Sequence, residues 1–341
     1  MKGYKLDKLH VFYQAYFVSR RFSMSVYTPL NVDEVQQFAE AYGLNVIALV
    51  PIQGGIQNTN YFIICKDETQ YVLTVFENET EQSAGELVPV LKQLEQHDVP
   101  VAAPLEHSGK AIHYLVGKPA QIAPRVWGEH PEEATVEQVK QIAIAQAKLH
   151  VALQDFPLSR SHSRGHIYWT DIGKTLQKEE MSEQDAALFE RVYQIFAKYQ
   201  KQYPNRAQGW IHSDLFRDNT LFEGDRLEGI LDFFELNFDE LLFDIAITIN
   251  DFCTQYPDVS LDQSRVDAYL TTYEMIRPLS EDERMCMNVY LAMMACRFWL
   301  LRLNVARLNR LEGRRGDDVF QKDPAQMRAM LIERLAHVTE L

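Results

Sequence analysis

Residues 211–234 hold Ile211-His212-Ser213-Asp214-Leu215-Phe216-Arg217-Asp218-Asn219-Thr220-Leu221-Phe222, then, after a short gap, Gly229-Ile230-Leu231-Asp232-Phe233-Phe234. Polar groups interrupt short apolar runs here, with Asp214 and Asn219 five positions apart and Asp232 thirteen further on. The runs 219–222 and 227–231 predict a hairpin about Glu223-Gly224-Asp225-Arg226. Such a hairpin brings Asp214, Asn219 and Asp232 to one rim. Oxygen ligands without a His or Cys companion suit magnesium, which prefers hard oxygens and keeps several waters. Phosphoryl transfer needs a carboxylate near the attacking hydroxyl and oxygen ligands for the metal that bridges the phosphates. Asp214 is placed for the first role, Asn219 and Asp232 for the second. Taken singly, each reads as a turn residue or a strand-end cap. Their joint spacing favours phosphotransfer.

The spacing H-x-D-x(4)-N, followed by a strand that ends in Asp, is the catalytic-loop and metal-loop grammar of the protein-kinase-like superfamily. Asp232-Phe233 stands where those kinases carry the start of DFG. His212 reads as a residue that packs and hydrogen-bonds to hold the loop.

Upstream, Asn31 and Glu34 make a capping-box signature for a helix that Gly43 stops. Three β-rich runs follow at 45–52, 60–66 and 71–77, the first two joined by a loop containing Gly54 and Gly55. One helix is predicted over 82–97, extended chain over 99–104, and a strand over 111–116. The Pro-bearing stretch 118–124 reads as the connector between two lobes. Beyond it the pattern is mostly helical: 135–153, 182–203, 241–255, 262–276, 281–311 and 323–337, with one β-rich insert over 210–234. The expected class is α+β, a small strand-rich lobe before a larger helical one. The expected division is an extension at 1–23, a nucleotide-binding lobe at 24–120 and a catalytic lobe at 121–341.

Composition agrees with a globular enzyme: 341 residues, 46% hydrophobic and 24% charged. The net charge is −14, and the first 23 residues are the basic part, with five bases and one acid. The remainder therefore carries 29 bases against 47 acids, a surface that disfavours nucleic acid and anionic lipid. Cys65, Cys253, Cys286 and Cys296 form no CxxC pair and read as reduced core thiols of a cytoplasmic protein. The apolar run 289–296 is closed by Arg297, short of the ~20 residues a membrane span needs. Residues 1–23 lack a cleavage site after their apolar stretch and read as an extension outside the fold.

The chain resembles type II homoserine kinases, of the aminoglycoside-phosphotransferase and choline-kinase group. The resemblance runs from Met24-Ser25-Val26-Tyr27-Thr28-Pro29 almost to the C-terminus. It is carried by Gly55-Ile56-Gln57-Asn58-Thr59-Asn60-Tyr61-Phe62, by 71–77, by the block around Asp214, by 243–253 and by Arg297-Phe298-Trp299-Leu300. It implies a two-lobed kinase-like fold with an antiparallel sheet in the first lobe; the expected assembly is a monomer or homodimer, which the sequence does not decide. The implied reaction passes the ATP γ-phosphate, with Mg2+, to the side-chain hydroxyl of L-homoserine in threonine biosynthesis. Nucleotide contacts then fall to Gly54, Gly55, Asn58, Asn60 and Gln121, and Asp244 becomes the acid that braces the catalytic loop.

Several points stay open in the sequence. Thr74 stands where many kinases carry the phosphate-binding lysine, so Glu86 has no lysine partner and reads as a solvated face charge. The acidic stretch 234–240 reads as an exposed loop or as a seat for the substrate ammonium. Arg297, next to Trp299, is either the guanidinium that holds the substrate carboxylate or a buried arginine paired with Asp244 or Asp251. His166, Tyr168 and Trp169 either line the acceptor pocket or pack. Two other functions remain: a kinase of an aminoglycoside, choline or methylthioribose, and a nucleotide-binding scaffold without turnover.

Overall fold

The computed structural model describes residues 28–52, 58–160, 165–313, 321–339 and 341. The extension at 1–23, residues 24–27, and Gly54 and Gly55 lie outside the described residues.

Helix α1 (Val32–Ala39) starts where the capping box was expected, with Asn31 Oδ1 accepting from the Glu34 amide at 2.9 Å and Glu34 returning a bond at 3.0 Å. It lies on a five-stranded antiparallel sheet of β1 (Val46–Pro51), β2 (Thr59–Cys65), β3 (Gln70–Val75), β4 (His113–Leu115) and β5 (Lys118–Pro124), in the order β1-β2-β3-β5-β4. Alternation along β2 divides the two faces. Thr59, Tyr61, Ile63 and Cys65 are buried, and the last three pack with Val35 and Ala39 of α1. Asn60 and Phe62 face the other way. Across that second face Asn60 pairs with Thr74 and Thr74 with Gln121, one polar row over three strands.

The stretch 118–124 is a strand, not a connector. Prolines sit at position 119 and at the C-terminal end, so Ala120, Gln121, Ile122 and Ala123 still pair with β3. The sheet therefore continues to Pro124, past the 120/121 position expected to divide the lobes. The single helix expected over 82–97 is two, α2 (Glu81–Gly85) and α3 (Val88–Gln96). Pro89 lies in the first turn of α3, where it lacks the N–H that would continue the preceding helix.

The helical lobe holds α4 (Val136–Ala152), α5 (His166–Glu179), α6 (Glu183–Gln202), α7 (Leu241–Phe252), α8 (Gln263–Glu274), α9 (Glu281–Leu311) and α10 (Pro324–Ala336). Six of these match the periodic segments. α5 was missed, because Thr170, Thr175 and Gly173 lower its helix propensity. Tertiary contact explains the glycine: a Cβ at Gly173 would stand 2.7 Å from Phe189 Cε2, so α5 and α6 meet at a distance only glycine permits. α9 is long and apolar enough to cross a membrane by length and composition, yet Met293, Met294, Cys296 and Leu300 are packed in the lobe's core.

Two hairpin-like ladders complete the lobe. β7 (Thr220–Glu223) and β8 (Arg226–Ile230) pair antiparallel as expected. β6 (Gln208–Ile211) pairs with β9 (Asn237–Glu240), so most of the stretch expected as an exposed loop is a strand. Glu240 is buried there, bonded by Arg206 Nη2 at 2.9 Å and by Nε at 3.1 Å. A hidden carboxylate with a bidentate arginine is a structural pair, and it ties the end of β9 to the segment that precedes β6.

Candidate active site

Between β6 and β7 the chain makes a tight excursion whose shape is set by one buried acid. Asp244, in the first turn of α7, accepts from the Ser213 amide at 2.7 Å and from the His212 amide at 3.2 Å. Both amides point the same way because Ser213 takes a left-handed φ of 69°. That conformation costs a non-glycine residue about 1–3 kcal/mol, so it persists only where bonds such as these over-determine it. His150, on α4, holds the same carboxylate through Nε2 at 3.0 Å while Nδ1 meets the Tyr273 hydroxyl at 2.6 Å.

Burial alone would push the Asp244 carboxyl up. The His150 hydrogen bond and charge, with His212, instead bring it down to about 2. An unfolded aspartate titrates near ~3.9. The depressed value therefore contributes stability that is complete above pH ~4 and lost as pH falls towards ~2, about 2–3 kcal/mol in all. Wild type is expected to lose stability more steeply than Asp244→Asn between pH 4 and 2 in chemical denaturation. Equal slopes for the two proteins would contradict this account of the loop.

His212 bonds the loop from within. It is fully buried, its Nδ1 accepts from the Asp214 amide at 3.3 Å, and its Nε2 meets the Leu231 carbonyl at 2.9 Å. Asn219 ties the three site positions together. Its Nδ2 donates to the Asp214 carbonyl at 2.8 Å and to Asp214 Oδ2 at 3.0 Å, and its carbonyl accepts from the Leu231 amide at 2.8 Å. Asp232 follows directly, itself left-handed at φ 58°, with Oδ1 accepting from the Phe234 amide at 3.3 Å. The hairpin thus brings Asp214, Asn219 and Asp232 to one rim.

All three line a cavity of about 730 Å³ between the lobes, which Asn58, Asn60 and Arg297 line as well. Asn60 Oδ1 accepts from Thr74 Oγ1 at 2.8 Å, and Asn58 Oδ1 accepts from the Glu77 amide at 3.4 Å. Each oxygen is thereby used, and each side-chain NH2 remains as a donor toward an anion. Gln121 sits beside Thr74 in the polar row but does not line this cavity. Tyr168 and Trp169 do line it, whereas His166 packs among Trp169, Tyr193, Phe196 and Phe243.

Asp214 keeps an edge in the cavity while protein encloses the rest of it. Burial, then the nearby carboxylates of Asp232, Glu235 and Asp218, push its carboxyl up to about 8, against the opposing charge of Arg297. Arg297 is 4% exposed and its Nε has no hydrogen-bond partner among the described residues. Neither expected partner takes it. Asp244 is held by His150, and Asp251 by Arg217 at 3.0 Å. Trp299 is corrected: it is 1% exposed in the core and does not line the cavity. Two residues along a helix turn the side chain by about 200°, so Trp299 faces away from Arg297, and Phe298 lines the cavity instead. Arg302, Asn304 and Lys322 are cavity residues that sequence reasoning missed. The only signal was helical register, seven positions on from Arg297 for Asn304 and four on from Phe298 for Arg302, with none for Lys322.

The donor set fits a hard divalent ion. One carboxylate (Asp232) and one amide oxygen (Asn219) face the cavity, and no cluster of three His, Cys, Asp or Glu side chains occurs among the described residues. Such a pair suits an ion whose remaining ligands are phosphate oxygens and water.

Comparison with known proteins agrees with this geometry. The sequence pattern of the phosphotransferase enzyme family matches residues 48–279. The homoserine kinase of Janthinobacterium sp. (strain Marseille) is 34% identical over 293 residues, 82% of this chain and 88% of that protein. The homoserine kinase of Polaromonas naphthalenivorans (strain CJ2) is 33% identical over 319 residues, 92% of this chain and 99% of its own length. Among solved structures, a spectinomycin phosphotransferase with ADP and spectinomycin superposes with a TM-score of 0.63 at 14% identity, over 92% of this chain and 100% of that one. An amicoumacin kinase solved with AMP-PNP and Ca2+ gives a TM-score of 0.62 at 14% identity, over 90% and 93%. The kinase-like fold expected from the resemblance is the fold observed, and the chain belongs to the phosphotransferase enzyme family, in the branch that holds these homoserine kinases.

Proposed function

We propose that this protein transfers the γ-phosphate of ATP to the side-chain hydroxyl of L-homoserine, giving O-phospho-L-homoserine in threonine biosynthesis. The observation that carries the choice of substrate is Arg297, a buried guanidinium with an unpaired Nε, lining the same cavity as the Asp214 carboxylate. A guanidinium fork suits the carboxylate of a free amino acid. Glu235 lines the same cavity and offers charge to the ammonium.

In this reading Asp214 accepts the proton of the homoserine hydroxyl as that oxygen attacks the γ-phosphorus. A base that titrates near the working pH is well matched to the task. Asn219 keeps Asp214 Oδ2 in place, and Asn58 and Asn60 donate to the phosphates from the sheet lobe. Asn219 and Asp232 would hold Mg2+, which when bound spreads the charge of the phosphates. No lysine acts from Thr74.

Asp232→Ala is expected to raise the magnesium concentration needed for half-maximal rate and to lower turnover, with manganese restoring part of it. Removing a mere turn acceptor would instead cost about 1 kcal/mol of stability and leave turnover per folded molecule intact. Activity against magnesium concentration, alongside a melting curve, separates the two. The substrate assignment is tested by assaying L-homoserine, spectinomycin, choline and methylthioribose with ATP. L-homoserine should give the highest kcat/KM, and a higher value for any other acceptor would withdraw the assignment.

A further inference from the structure

The loop that carries Asp232 is held from both lobes. The ring of Phe233 packs on His212, with centroids 4.6 Å apart. The ring of Phe234 enters a small apolar cluster of Phe76, Ala84, Ile112 and Val88 in the sheet lobe. The Phe234 carbonyl accepts from Arg160 Nη2 at 2.8 Å. Arg160 follows α4 in the helical lobe, yet its Nε stands 4.0 Å from Glu86 Oε2, where α2 ends in the sheet lobe. The two side chains are 10% and 13% exposed, so Glu86 is not the solvated charge expected from sequence.

The ionic and apolar contacts converge on one short stretch. Ala84 and Val88, which receive the Phe234 ring, flank the Glu86 that faces Arg160. Meanwhile Thr74, which stands where many kinases carry a lysine, is neutral and bonded to Asn60. We propose that Arg160 is the positioning residue of the Asp232 loop, clamping it to Glu86 and replacing from the helical lobe the lysine that β3 lacks.

A guanidinium suits this position because it is a planar fork. One edge bonds the loop carbonyl while another faces the carboxylate, a division that a point-charge ammonium makes poorly. Losing it leaves a carbonyl and a carboxylate without that partner in a place where water has little access. The loop would then lose its polar tie to the helical lobe at Phe234 while its two ring contacts remain. Displacing Asp232 by even ~1 Å is enough to slow a reaction that depends on alignment. The kinetic part of this proposal rests on the metal-ligand reading of Asp232, whereas the structural part stands apart from it.

The test begins with the metal-free, nucleotide-free protein. Amide hydrogen exchange is followed in a peptide spanning 231–236 for wild type, Arg160→Ala, Arg160→Lys and Glu86→Gln. Arg160→Ala should speed exchange there by about tenfold or more, while α7 and α9 keep their protection. Glu86→Gln should move the same peptide in the same direction, and Arg160→Lys should fall between wild type and Arg160→Ala. In turnover, kcat of Arg160→Ala should fall by more than KM for ATP rises. Wild-type exchange in 231–236 of Arg160→Ala would overturn the proposal. A raised KM for ATP with kcat intact would also overturn it, placing Arg160 on the phosphates. If Arg160→Ala does not fold, the loop exchange of Glu86→Gln decides alone, and a wild-type rate there counts against the clamp. The exchange arm uses no acceptor, so its failure is distinct from failure of the homoserine assignment.

Discussion

Asp214→Asn is expected to lower kcat by about 10²–10⁴ while the fold and nucleotide affinity stay close to wild type. The substitution keeps the shape of the side chain. With its amide oxygen turned toward Asn219, an asparagine here still accepts the bond that Asn219 Nδ2 gives to Asp214 Oδ2. The Asp214 backbone is held independently, its amide by His212 and its carbonyl by Asn219. What disappears is the capacity to take the proton from the acceptor hydroxyl. The melting midpoint should hold or rise slightly, because the change also removes a carboxylate crowded by Asp232, Glu235 and Asp218. The checks are single-turnover rate, nucleotide titration and a melting curve. Near-normal turnover by the folded variant would remove Asp214 from its assigned role.

Arg297→Gln should raise KM for L-homoserine about 100-fold or more, on the scale of two charge-assisted hydrogen bonds. Its effect on stability has a distinctive sign. An arginine paired with a buried structural carboxylate would cost about 3–5 kcal/mol when truncated. Asp244 and Asp251 are both engaged elsewhere, and the Arg297 Nε has no hydrogen-bond partner among the described residues. Removing it should leave the melting midpoint unchanged or higher. The substrate 3-aminopropan-1-ol, which is homoserine without its carboxylate, extends the test. Wild type should strongly prefer homoserine, and the variant should lose most of that preference. A large fall in melting temperature with KM unchanged would return Arg297 to a structural role.

The catalytic block was readable because its chemistry depends on spacing along one strand-turn-strand unit. Asp214, Asn219 and Asp232 are brought together by the hairpin itself, and a hairpin is local. The capped helices were readable for the same reason, as at Asn31 and Ser280, where the side chain bonds an amide three residues on. What escaped was set by contacts distant in sequence. α5 forms against its propensities because Gly173 lets it approach Phe189. β9 pairs with β6 across 26 to 32 positions, so its acidic composition resembled a loop. Arg160 meets Glu86 and Phe234 across 74 residues in each direction, and no local pattern carries that. Trp299 illustrates a different failure. Adjacency to Arg297 suggested a shared pocket, where helical rotation puts the two on different sides.

Phosphorylation of homoserine in this cleft depends on Asp214. The most direct measurement is phosphorus NMR of the enzyme with ATP, Mg2+ and L-homoserine, run in parallel for wild type and Asp214→Asn. Wild type should form ADP and O-phospho-L-homoserine in equal amounts, and Asp214→Asn should form neither at a comparable rate. ATP consumed without an amino-acid phosphoester, or the same phosphoester formed as fast by Asp214→Asn, would contradict the account.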